Sequence, residues 1–315
     1  MVCEMAASPV SENPTVAARS WPQRLRLIVA ALLIWAGLQY LLNATLMAPG
    51  LARPATLAAS HHPVLAALGL AIILLVGSLV AARVAGSAYS HPGLLTAALG
   101  LALWVIPAGT MTEWLMYANP QVGPPTGAAY WPLAAEYLWL LLLMVAVAGL
   151  TEIPWTALAS LDRAIIREEF RRTVGLHLTG RSRINGVLAL LLSTLVIGVL
   201  MLILTGPATS GQTLRGQVYF AVAVASACGT FAACRVLRVT EPIWYWPAPI
   251  LAGLIGVLVA TIRPALLLPA AYAHLNSIPA WGLARPLPIE MVGVGVAVCL
   301  WALRASQRSP RTGQP

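Results

Sequence analysis

The chain has 315 residues, of which 59% are hydrophobic and only 9% charged, and its mean hydropathy is +0.80. Soluble domains carry about 25% charged residues, so this composition excludes a soluble globular domain, and its apolarity excludes a disordered chain. The net charge of +9 comes from 19 basic residues, all arginine, against 10 acids, of which Asp162 is the one aspartate. Lysine chemistry and two-aspartate sites are thereby excluded.

Residues 1–26 read as a flexible tail with Ser8, Pro9, Asn13 and Pro14. The apolar run that starts at Leu27 is longer than a signal-peptide core, and no clear cleavage site follows it. It reads as an uncleaved first helix.

A helix needs about 20 apolar residues to cross a bilayer. Eight stretches approach that length, at 27–47, 64–84, 93–113, 132–153, 184–206, 216–236, 243–262 and 287–304. The expected fold is an all-α polytopic transmembrane bundle of about eight spans, with four-helix halves at 27–153 and 184–304. The run 264–276 is too short to span and contains Pro269, so it reads as a re-entrant or surface-lying segment on the outer side. Residues 305–315 form a second tail.

Arginine placement sets the orientation. With eight spans and both termini cytoplasmic, Arg53, Arg215, Arg263 and Arg285 lie outside and the other 15 arginines inside. The reverse orientation breaks the positive-inside rule. The basic charge is thus spread along membrane edges rather than gathered in a nucleic-acid motif, and no nucleic-acid partner is expected. The expected location is a multi-pass membrane protein, in the inner membrane if the source is bacterial.

The longest polar connection, 154–183, reads as a cytoplasmic amphipathic helix and loop. Leu158, Leu161, Ile165, Phe170 and Val174 form its apolar stripe. Arg163, Arg167 and Arg171 share one face at i, i+4 spacing, where like charges repel. Arg172 pairs with Glu168. These four arginines are the candidate contacts for anionic lipid headgroups or a protein partner.

Catalytic and metal motifs are missing. There is no HExxH, no GxSG and no P-loop, and His61-His62 is an adjacent pair that cannot share a helix face. Cys3, Cys228, Cys234 and Cys299 show no CxxC spacing. No metal or cofactor is expected.

What remains is a handful of acids near span ends. Glu113, Glu136 and Glu290, with His274 in the short outer segment, form a candidate polar vestibule on the outer side. Glu136 is the deepest. An ionisable residue at membrane depth suggests function by default. Glu152 ends span four at the negative end of the helix dipole. It is a candidate for a structural ion pair, with Arg83, Arg183 or Arg235 as the expected partner. Tyr219, Ala223, Ser226 and Thr230 make a small, weakly polar face suited to close helix contact. Pro107, Pro247 and Pro249 mark kinks.

The leading expectation is a non-enzymatic scaffold or subunit whose cytoplasmic helix meets lipid or a partner. The alternatives are a small-molecule or ion transporter using the outer glutamates, and an interfacial lipid-modifying enzyme pairing a Glu with a His. A polar cavity reaching mid-bilayer would favour transport. A Glu136–His274 pocket would favour catalysis, and a filled bundle a scaffold.

Overall fold

A computed structural model describes residues 21–42, 54, 56–85, 91–118, 127–153, 164, 168, 180–205, 215–262 and 282–308. Among these the chain is helical, with no strand beyond a single bridge between Pro54 and Gly109. The helices are α1 (Trp21–Gly37), α2 (Pro63–Ala85), α3 (Pro92–Val105), α4 (Met111–Ala118), α5 (Trp131–Glu152), α6 (Gly180–Thr205), α7 (Arg215–Leu237) and α8 (Pro247–Ile262). The last rod, α9, runs from Pro288 through a π-helical stretch (Met291–Gly295) into Val296–Arg308. A second π-helical stretch, Leu38–Leu42, extends α1.

Among the described residues seven helices are long and apolar enough to cross a membrane, namely Arg24–Leu42, Pro63–Val84, Gly127–Glu152, Ser182–Thr205, Arg215–Leu237, Pro242–Ile262 and Pro288–Gln307. The chain is an all-α polytopic bundle. The expected third span, 93–113, is corrected by the structure. It is two helices, because α3 stops after 14 residues, about 21 Å of rise. The cause is local. Pro107 lacks an N–H and cannot continue the hydrogen-bond ladder. Ile106 keeps helical angles (φ −53°, ψ −47°), and the chain closes instead in a tighter turn in which the Ala108 N–H donates to Val105 O at 3.1 Å. Three residues on, Thr110-Met111-Thr112-Glu113 forms a capping box that starts α4. The Glu113 carboxylate accepts the Thr110 backbone N–H at 2.7 Å, and the Thr112 N–H reaches the Thr110 hydroxyl at 3.3 Å.

Short as it is, α3 joins opposite ends of the bundle. At its start, Gly93 packs against Thr151 of α5 and Ser78 of α2. At its finish, the carbonyls of Val105 and Ile106 meet side chains from the first turns of α7. Eleven of its 14 residues are buried, which makes it the centre of the packing. It lies against α1, α2, α5 and α9. Where α9 crosses it, Gly293 sits on the α3 backbone. A Cβ there would stand 2.7 Å from Ala102 N, so only glycine fits. The helices of the second half pack as α6 on α7 and α8, and α7 on α9. The two halves meet where α3 touches α9 and α5 touches α8. Large apolar side chains such as Leu33 on α1, Ile72 on α2 and Leu195 on α6 point outward, as lipid-facing surfaces do.

Candidate polar site at one end of the bundle

Helix starts leave four backbone N–H groups without intrahelical partners. In a membrane-embedded bundle those groups find no water, so acceptors must come from side chains. Three of the four predicted vestibule residues are described, and all three meet this need at the same end of the bundle.

Glu290 ends the first turn of α9 and is buried. One carboxylate oxygen accepts the Leu287 N–H at 2.8 Å, as the third residue of a capping box does. The Tyr219 hydroxyl from α7 lies against the same carboxyl and donates to Val105 O at 3.0 Å. Arg215, one turn earlier on α7, donates from Nη1 to Ile106 O. It lies within electrostatic reach of both Glu113 and Glu290. Tyr219 and Arg215 therefore satisfy the carbonyls that the early stop of α3 exposes, while holding positive charge between two acids.

Glu113 accepts both the backbone N–H and the hydroxyl of Thr110. Burial raises its pKa, but the Thr110 bonds and the Arg215 charge outweigh that and hold it below the usual carboxylate range.

Glu136 lies five residues into α5, about 7.5 Å along its axis. It is 4% exposed and turns the other way, toward the segment preceding α2. One oxygen accepts the Thr56 hydroxyl and the Leu57 N–H, the latter at 3.1 Å. The Ala58 N–H in turn reaches the Thr56 hydroxyl at 3.3 Å, so Glu136 anchors the start of the short 3-10 helix Leu57–Ala59. The Pro54–Gly109 bridge lays the same segment across the α3–α4 turn. Among the described residues the second oxygen of Glu136 is buried without a hydrogen-bond partner, as are the hydroxyls of Tyr137 and Tyr130. Tyr137 lies within electrostatic reach of both Glu136 and Glu290, and its hydroxyl abuts Gly253 of α8.

The expected four-residue vestibule thus resolves into two parts. Glu113 and Glu290 share Arg215. Glu136 sits on the other side of Tyr137, and His274 lies outside the described residues. Sequence reasoning missed Arg215, Tyr219, Thr56 and Tyr137. The Thr110-x-x-Glu113 box was there to be read, and so was the Arg215–Tyr219 pair at one-turn spacing.

At the opposite end, Glu152 meets His91 rather than the expected arginine. His91 Nδ1 lies 3.0 Å from Glu152 Oε1. Arg83 instead donates to Ile153 O at 3.1 Å, and Arg183 and Arg235 are exposed. His91 adopts a left-handed conformation (φ 52°) just before α3, which turns its ring toward the end of α5. Of the predicted amphipathic segment only Ala164 and Glu168 are described, both helical and exposed. Arg163, Arg167, Arg171 and Arg172 lie outside the described residues. Among the described residues no three His, Cys, Asp or Glu side chains gather as a metal site would require. No family model, curated protein or solved structure matches this chain.

Proposed function

We propose that this chain is a non-enzymatic, multi-pass membrane scaffold or subunit, with segment 154–183 as its lipid- or partner-contacting element. One observation carries the reading: Glu113, Glu136 and Glu290 each commit an oxygen to backbone amides at a helix start. Acids used this way hold a bundle together. Cross-linking of the full chain in native membranes, followed by purification, tests the proposal. The expected result is a protein or anionic-lipid adduct at segment 154–183 that disappears when Arg163, Arg167, Arg171 and Arg172 become Gln. An adduct that survives the change refutes the role given to that segment.

A second reading, transport, is favoured by one feature. The early end of α3 and the π-helical stretch of α9 pack on each other beside Glu290, Tyr219 and Arg215. Interrupted helices meeting at polar groups are how transporters build binding sites.

A further inference from the structure

Capping uses only half of Glu136. Its second oxygen is buried in a membrane-spanning helix and, among the described residues, accepts nothing. The hydroxyl of Tyr137, the next residue and fully buried, also has no hydrogen-bond partner among the described residues. From these two observations we infer that Glu136, with Tyr137 and the Thr56 hydroxyl, forms a binding site for one small monovalent cation, a proton or a sodium ion.

The surroundings argue for a cation. Among the described residues of the segment before α2, Glu136 meets the Thr56 hydroxyl and backbone amides. His61 and His62, which follow that segment, are exposed. Along α2 the one charged side chain is Arg83, at the far end. Neither α3 nor α8 carries a titratable side chain. From α9 comes Glu290, a second acid, reached through Tyr137. The nearby arginines are engaged elsewhere, Arg215 at Ile106 O and Arg285 at Thr205 O. Among the described residues, then, no positive side chain pairs with Glu136. A carboxylate removed from water without a counter-charge is strongly disfavoured. The groups on hand are oxygens, a carboxylate and two hydroxyls, which suit hard cations and not thiolate- or imidazole-seeking metals. The site is also distinct from the Glu113–Arg215–Glu290 group, which already contains its own cation.

The test uses the full chain in nanodiscs. Melting temperature is measured against sodium concentration, with choline as replacement, and against pH. Infrared spectra record the protonated-carboxyl stretching band in parallel. Glu136→Gln keeps an acceptor oxygen for Thr56 and Leu57, so the capping survives while the charge is lost. If sodium is the ligand, the melting temperature rises with sodium and the rise is lost in Glu136→Gln. Tyr137→Phe then shifts the half-saturating sodium concentration upward several-fold. If a proton is the ligand, sodium has no effect, and the wild type minus Glu136→Gln difference spectrum shows a protonated-carboxyl band. Tyr137→Phe leaves that band in place. The inference is overturned if the wild type shows neither a sodium response nor the band, or if Glu136→Gln retains whichever signal the wild type shows.

Discussion

Replacing Glu290 separates capping from charge. The side chain is 2% exposed, and one of its oxygens accepts the Leu287 N–H at 2.8 Å. Glu290→Ala removes the acceptor and strands a buried amide. Losing a cap costs about 0.5–2 kcal/mol, and leaving a buried donor unsatisfied costs about 1–3 kcal/mol. These two figures describe the same bond from two sides, so the expected loss is about 2–3 kcal/mol. Glu290→Gln keeps an amide oxygen where the carboxylate stood, so Leu287 stays bonded. It changes the electrostatics with Arg215, whose guanidinium already donates to Ile106 O. The expected loss for Gln is about 1 kcal/mol or less. The assay is thermal unfolding of the purified chain in one detergent, both variants beside the wild type. The account expects Ala to melt well below wild type and Gln close to it. If Gln proves as damaging as Ala, the negative charge rather than the acceptor is what the position requires, and the capping argument fails.

Other positions give separate checks. Gly293→Val places side-chain carbon against the α3 backbone, where a Cβ already stands 2.7 Å from Ala102 N, so it should cost at least about 1–3 kcal/mol by overpacking and lower the melting temperature. A variant as stable as wild type would show that α3 and α9 do not cross so closely. Glu113 has a folded pKa held below its unfolded value of about 4.3. Its contribution to stability is therefore fully present above that pH and is lost as pH falls through the folded pKa. Glu113→Gln should flatten the acid limb of a stability–pH curve; an unchanged limb counts against the Thr110 and Arg215 contacts. His91→Ala removes the partner of Glu152 at a partly exposed site, so the loss should stay within about 1 kcal/mol. A larger drop in melting temperature would mean that the pair organises the start of α3.

The helical bundle was legible because the bilayer fixes both the length and the polarity of a span, and every predicted stretch contains an apolar helix. The third was overestimated because hydropathy does not see a proline break inside an apolar run. Ile106, Pro107 and Ala108 keep the average high while the backbone leaves the helix. The acids at 113, 136 and 290 were found by depth alone. Their work was not, because an acceptor for a helix start is chosen by tertiary neighbours: Glu136 serves Leu57, 79 positions away. Arg215 looked like one of four outer arginines until α7 was placed beside the end of α3. The partner of Glu152 was misjudged for a similar reason. Charge counting favours arginine, whereas the left-handed turn at His91 brings a histidine there instead.

The most direct test of the central claim is ion flux. The full chain is reconstituted into sealed vesicles, and sustained proton and sodium movement is followed under an imposed gradient. A scaffold whose buried acids cap helices passes neither ion above the rate of empty vesicles, even with a cation bound at Glu136. A sustained flux that disappears in Glu136→Gln or Glu290→Gln would contradict the scaffold reading and establish transport in its place.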